Sequence, residues 1–362
     1  MHDLQNRPVT RMTSRRSHLL RIAITVATAV LMAGCASSTE ERRTEPASWV
    51  NAGMTARSPR PYSTLEGPFG QVGGWIAYSS GDGIRAVHPQ GPSGWIRLSR
   101  EEGDPIAWSS DGSKLLIRRE MGLYVLDADG TETRLTDGYA DPTGGSFSPD
   151  GSEVVYAARP VLYAAGPWER SAIYRVSSDG GAPRLILRST RRVSFPDGHT
   201  ALAFAYQPAL SPDGTRIAYF DGMYDHSHNL WVANADGTGR RVVLDEEVSA
   251  SGHMRGLTWA PDGERLAFAT DNSIYVVRLD GTGLKRVVSG GFAPAMQWSP
   301  DGSRIAYLRE GGTCVSRTGE DEDLTCEAEL VIVNVEGGDE RIIEGIRTPE
   351  IGRARIAWNP AM

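Results

Sequence analysis

One four-residue phrase recurs five times between residues 109 and 302: Ser109-Ser110-Asp111-Gly112, Ser148-Pro149-Asp150-Gly151, Ser211-Pro212-Asp213-Gly214, Ala260-Pro261-Asp262-Gly263 and Ser299-Pro300-Asp301-Gly302. Each copy has the chemistry of a tight turn. Ser accepts at the first position, Pro presets φ at the second, and Gly closes the turn after Asp. A chain that repeats its turns repeats its modules, so these residues must fold as adjacent copies of one supersecondary unit.

The segment after each turn is equally regular. Leu115, Val154, Ile217, Leu266 and Ile305 share one offset, and Ile117, Tyr156, Tyr219, Phe268 and Tyr307 stand two residues later. Between them lie Leu116, Val155, Ala218, Ala267 and Ala306. Such unbroken apolar runs predict strands covered on both faces. A third strand is expected at 123–126, 173–176, 230–233, 274–277 and 330–333, and a fourth at 133–135, 183–187, 240–244, 285–288 and 340–343. Four antiparallel strands in a unit of about 40 residues predict an all-β fold, a β-propeller of four-stranded blades. Residues 75–98 supply only three strands, while Ile356-Ala357-Trp358-Asn359-Pro360 copies Ile106-Ala107-Trp108-Ser109-Ser110. The C-terminal strand is therefore expected to complete the first blade and close a six-bladed ring.

At these residues the chain resembles the TolB-type propeller repeats, relatives of WD40 repeats. Ala295-Met296-Gln297-Trp298-Ser299-Pro300-Asp301-Gly302-Ser303-Arg304-Ile305-Ala306-Tyr307 and Leu230-Trp231-Val232-Ala233-Asn234-Ala235-Asp236-Gly237-Thr238 carry the likeness, which extends over roughly residues 70–362. It implies fold much more than function, because propellers host many unrelated roles.

Ahead of the repeats, Arg7, Arg11, Arg15, Arg16 and Arg21 precede an apolar run from Ile22 to Ala33 and then Gly34-Cys35. Residues 1–34 read as a signal peptide, since a spanning helix needs about 20 apolar residues. Leu31-Met32-Ala33-Gly34-Cys35 resembles a bacterial lipobox, which implies lipidation at Cys35. Ser14-Arg15-Arg16-Ser17-His18-Leu19-Leu20 fits either a twin-arginine export signal or the basic region of a general secretory one. Residues 35–66 then form the lipidated terminus and a linker, and 67–362 the propeller. The expected location is extracytoplasmic, periplasm or cell surface, anchored to a bacterial membrane through lipid.

Removing residues 1–34 takes away five arginines and one aspartate, so the formal charge of −7 becomes −11. An acidic chain without a Lys/Arg block argues against nucleic acid as a partner. With Cys35 assigned to lipid, Cys314 and Cys326 are the remaining pair, and export makes a disulfide between them the expected state. Extra sequence collects in 158–170, 220–229 and 309–328 and, between units, in 188–207, 245–255 and 345–354. In a four-stranded meander these connections all emerge on one end, so one face of the ring is plain and the other elaborated. The elaborated face is the expected binding face.

Asp225, His226, His228 and His253, with His199, fall on that face. They read as polar loop residues, with a transition-metal site as the alternative, because the spacing matches no metal motif. No cofactor is expected. Trp108, Trp259, Trp298 and Trp358 share one position just before the turn and read as core, leaving Trp168 as a ligand-contact candidate. Propellers of this kind accompany prolyl-oligopeptidase-type hydrolases, but the sequence contains no Gly-x-Ser-x-Gly nucleophile elbow. The reading is a monomeric, non-catalytic scaffold for an envelope protein, peptide or glycan. A metal-dependent polysaccharide lyase or glycosidase is the alternative.

Overall fold

The computed structural model describes residues 69, 73–80, 82–90, 94–120, 122–136, 140–160, 171–194, 198–223, 226–245, 254–270, 273–290, 295–316, 324–348 and 355–360, all within the compact unit Thr44–Met362. The first blade contains β1 (Ile76–Ser80), β2 (Gly83–Val87) and β3 (Trp95–Ser99). The second is β4 (Asp104–Trp108), β5 (Lys114–Arg119), β6 (Gly122–Asp127) and β7 (Glu132–Arg134). The third is β8 (Ala140–Phe147), β9 (Glu153–Pro160), β10 (Ala172–Ser177) and β11 (Arg184–Arg188), followed by an inserted hairpin, β12 (Arg192–Ser194) and β13 (Thr200–Leu202). The fourth is β14 (Phe204–Leu210), β15 (Arg216–Met223), β16 (His226–Asn234) and β17 (Arg241–Leu244). The fifth is β18 (Arg255–Trp259), β19 (Arg265–Thr270), β20 (Ser273–Arg278) and β21 (Lys285–Ser289). The sixth is β22 (Met296–Trp298), β23 (Arg304–Ser316), β24 (Leu324–Asn334) and β25 (Arg341–Thr348). Last comes β26 (Ile356–Trp358), which pairs antiparallel with β1, Ile76 opposite Trp358, and completes the first blade in the order β26-β1-β2-β3.

The turns explain the strand starts. In four of the repeats the leading Ser is a small hub: Ser211 Oγ donates to Asp213 Oδ1 at 2.5 Å and accepts from the Arg216 amide at 2.9 Å. Ser109, Ser148 and Ser299 repeat both contacts. The closing glycine adopts a left-handed φ, +72° at Gly214, which a β-carbon disfavours. Each turn thus ends the inner strand and starts the next without a buried unpaired amide.

Alternation along the second strand splits each blade between two neighbours. Leu115 and Ile117 pack with Ile84, Leu98 and Trp108 between the first and second blades, while Leu116 packs with Val154 and Tyr156 on the far side. Six such clusters among the described residues fill the six gaps between blades. The inner strands touch in a closed circle, β26 to β4, β4 to β8, β8 to β14, β14 to β18, β18 to β22, and β22 back to β26. Indole donors reinforce it: Trp108 Nε1 donates to the Ala357 carbonyl at 3.1 Å and Trp259 Nε1 to that of Ala209 at 2.8 Å. These tryptophans are core residues, as their place in the repeat predicts.

Sequence excess at the elaborated end takes a different form from the expected loops. Much of 309–328 continues β23 and β24 as a ladder out to Ser316 and Leu324, and part of 220–229 continues β15 and β16 to Met223 and His226. The insert between the third and fourth blades holds the β12–β13 hairpin.

Candidate functional site

Strand register defines a ring of equivalent positions where the inner strands begin, at the elaborated mouth of the central channel. In the second blade Asp104 is opposite Arg118, in the fourth Tyr206 is opposite Phe220, and in the fifth Arg255 is opposite Ala269. Thr143 opposes Ala157 in the third. In the first blade the Arg355 carbonyl accepts from the Ser79 amide, and in the sixth the Ala295 carbonyl accepts from Leu308. The ring therefore reads Arg355, Asp104, Thr143, Tyr206, Arg255, Ala295.

Asp104 is held from two sides. Arg118 donates to its Oδ2 through Nε at 3.2 Å and a terminal nitrogen at 2.7 Å, and Ser79 Oγ donates to Oδ1 at 2.9 Å. Both ends of the ion pair are largely buried, which strengthens a charge-assisted contact. Across the mouth, burial raises the Tyr206 phenol well above its usual range, with Asp221 adding to the effect and Arg255 and Arg191 opposing it. Its hydroxyl lies 2.8 Å from His228 Nδ1. Arg191 Nε donates to Asp221 Oδ1 at 2.8 Å and its terminal nitrogen to the Asp221 carbonyl at 2.9 Å.

Arg355 is the most perturbed cation described. Burial pushes its guanidinium down to about 10, the positive charges of Arg118 and Arg255 push in the same direction, and Asp104 opposes them. Arg255, Arg355 and Arg118 thus share one field with Asp104, whose oxygens Arg118 and Ser79 already engage. Between Arg255 and Arg355 the ring position belongs to Ala295, whose side chain is a single methyl. Deeper in, Gln207 Oε1 accepts from the Gly256 amide at 2.8 Å, and Gln297 makes long contacts, 3.4 Å each, with Thr258 Oγ1 and the Ile106 carbonyl. The arrangement gathers charged and amide side chains where the inner strands begin.

Of the residues singled out from sequence, His228 is buried on β16 rather than exposed in a loop, because Gly222 opposite leaves room for its ring; a Cβ there would stand 2.2 Å from Nδ1. His226 opens the same strand and His199 is exposed before β13. Asp225, His253, Trp168 and Cys35 lie outside the described residues. Among the described residues no three His, Cys, Asp or Glu side chains gather to hold a metal. Cys314 and Cys326 are direct Cα partners in the β23–β24 ladder. The ring residues Arg255, Arg355, Asp104 and Tyr206 belong to no recognisable motif in the sequence. Their signal is a position three or four residues before each repeat's Trp or its equivalent, where polar or charged residues interrupt an otherwise apolar pattern.

A solved structure of a TolB candidate protein from Agrobacterium tumefaciens superposes with a TM-score of 0.54 at 21% identity, covering 79% of this chain and 94% of that one. A TolB homolog of Chlorobium luteolum is 33% identical over 123 residues, 32% of this chain and 23% of its own length. The chain is a six-bladed β-propeller that is similar to TolB homologues. An uncharacterized protein of Agrobacterium fabrum is 27% identical over 197 residues, 51% of this chain and 58% of the relative. The chain thus aligns with less than two thirds of either curated relative's length. No family model matches the sequence.

Proposed function

We propose that this propeller is a non-catalytic scaffold, tethered outside the cytoplasm by lipid on Cys35, whose elaborated face binds a protein, peptide or glycan of the cell envelope. The observation that carries this reading is the asymmetry of the two ends. The Ser-Pro-Asp-Gly turns leave one end plain, while the extended β15–β16 and β23–β24 ladders, the β12–β13 hairpin and the charged mouth all lie at the other. Rigid strands presenting variable extensions are a common way of building a binding face. The lipobox-like residues before Cys35 and the polar spacer 36–66 support a tether that holds this face away from the bilayer.

The reading includes a bridge between Cys314 and Cys326. Directly opposed residues of an antiparallel ladder have Cα atoms about 4.5–5.5 Å apart, within the span of about 4.4–6.8 Å that a disulfide accepts. Peptide mapping under non-reducing conditions is expected to recover the linked pair; two free-thiol peptides would remove the bridge.

The scaffold reading is tested by proximity labelling in intact cells, with the labelling enzyme inserted in the 36–66 spacer. Envelope partners are expected to be enriched with the native hairpin and lost when residues 310–328 are replaced by a short turn. Labelling indistinguishable from that of a bare lipid-anchored control would sink the proposal.

A further inference from the structure

Away from both ends of the channel, the outer rim of the ring carries a surface of its own. We propose that the outermost strands of the third and fourth blades, β11 and β17, form a contact surface for an anionic phospholipid bilayer; the tethered-scaffold reading enters only in bringing this rim to a membrane. Four large apolar side chains stay exposed among the described residues, Leu185 at 44%, Val242 at 41%, Leu284 at 38% and Ile342 at 51%, and all lie in or beside the outermost strands of the third to sixth blades. Leu185 and Val242 each stand opposite a half-buried aromatic residue of the neighbouring strand, Tyr174 on β10 and Trp231 on β16. Ile186 and Trp231 pack against one cluster between the two blades, and Arg240, just before β17, donates to the Arg188 carbonyl at 2.8 Å. The two outer strands are thus one continuous stretch of rim.

Charge separates this stretch from the others. In the first blade Arg85 and Arg97 close on Asp82, beside the second Arg119 closes on Glu132 and Glu101, and in the fifth and sixth Lys285 reaches Glu336 and Arg309 reaches Glu329 and Glu340. Arg184, Arg188, Arg240 and Arg241 are all exposed, and none of them meets a carboxylate among the described residues; Arg240 and Arg241 turn to backbone carbonyls instead. Neither β11 nor β17 contains an acidic residue. Four guanidinium groups without a carboxylate, on a chain of formal charge −7, draw an anionic partner to this place. A protein partner calls for a contiguous apolar centre from which charge is depleted, whereas here single apolar side chains alternate with arginines. A bilayer interface suits that pattern. Leu185 and Val242 enter the boundary of the acyl region, arginine stems lie along it with their heads among the phosphates, and Tyr174 and Trp231 match the aromatic preference of the same zone. Contact along the rim leaves both ends of the channel open, so the elaborated face stays accessible.

The test uses the mature chain 35–362 with Cys35→Ser, which keeps the whole compact unit Thr44–Met362 and removes the acyl anchor that would mask the rim's own affinity. Co-sedimentation at low salt is expected to show binding to vesicles of mixed phosphatidylglycerol and phosphatidylcholine, none to phosphatidylcholine alone, and release by added salt. Arg184→Gln with Arg188→Gln is expected to weaken binding at least about 10-fold. Neither of these side chains makes a hydrogen bond or ion pair among the described residues, so the variant should melt with the parent chain. Leu185→Ser with Val242→Ser is expected to weaken binding as well, whereas Arg278→Gln with Arg304→Gln, which removes equal charge from exposed positions at the plain end, leaves it unchanged. Equal binding to both kinds of vesicle, or undiminished binding by the Arg184→Gln, Arg188→Gln variant or by the Leu185→Ser, Val242→Ser variant, overturns the proposal. Rim-dependent capture of polyglutamate without vesicle binding also overturns it and makes the rim a contact for an acidic protein. Failure to bind any vesicle while proximity labelling still recovers partners removes the bilayer contact and leaves the scaffold standing; rim-dependent vesicle binding with no partner enriched supports the contact and removes the scaffold.

Discussion

Ser211 shows what a single hydroxyl contributes here. It is buried, donates to Asp213 and accepts from the amide that starts β15, so Ser211→Ala strands a buried amide at the cost of about 1–2 kcal/mol, read by chemical denaturation. The fifth blade, with Ala260 at this place, is a natural version of the change; there Asp262 turns instead to Arg265 at 2.8 Å. Hydrogen bonds from the Ser hydroxyl and the following amides hold Asp150 and Asp213 at about 2, below the ordinary 3.8. A depressed carboxylate stabilises the fold above its unfolded pKa, and that contribution is lost as pH falls through the folded one. The difference in melting temperature between the native chain and Asp213→Asn is therefore expected to be constant from pH 7 to 5 and to close between about 4 and 2. A difference unchanged at low pH would mean that the carboxylate's charge is idle. The tryptophans offer a second comparison. Trp259→Phe removes an indole bond to the neighbouring blade worth about 1 kcal/mol, whereas Trp298 Nε1 has no partner among the described residues, so Trp298→Phe is expected to cost less.

At the scale of the element, inner and second strands were legible in the sequence because both faces of a blade are covered and the chain must spell an apolar run. The ends of β23 and β24 were not, and the reason is physical. Beyond Leu308 the ladder runs past the last residue that β23 contributes to the clusters between blades, and Arg309-Glu310-Gly311-Gly312 carries no apolar pattern. Charge holds the base of the extension instead: Arg309 contacts Glu329 at 2.8 Å and Glu340 at 2.7 Å. Bulges in the inner strands were equally hidden. Gly144 sits at one, at φ +68°, and a Cβ there would lie 2.9 Å from the Cα of Gln207 in the next blade. Gly144→Ala combines a strained backbone with a clash against main chain and is expected to cost about 1–3 kcal/mol by denaturant titration. A loss below about 0.5 kcal/mol would show that the two inner strands part easily at that point.

For the whole molecule, closure was legible because Ile356-Ala357-Trp358 repeats a strand the first blade lacks. The ring of charges at the mouth was not, since Arg255 and Arg355 become equivalent only after a bulge in β18, which β26 lacks, shifts the count by one residue. Closure is also where a ring of six similar wedges is most exposed to failure. The last strand brings Ile356 and Ala357 into the clusters on either side of the first blade, accepts the indole of Trp108, and pins Asn359 N to the Trp75 carbonyl at 2.8 Å and Trp358 Nε1 to that of Gly74 at 2.8 Å. On the outer side, Arg341 of the sixth blade reaches the Gln90 carbonyl of the first. Ending the chain at Arg355 leaves β1 with an open edge and exposes apolar faces on both flanks, and an unpaired strand edge is an invitation to aggregate. The truncated protein is expected to lose its single cooperative melting transition, to be cut rapidly within the first and sixth blades by limited proteolysis, and to elute as higher oligomers. A truncated chain that remained monomeric and melted within a few degrees of the native one would show that the six gaps between blades suffice without the clasp. It would also move the origin of the fold's cooperativity from ring closure to blade packing.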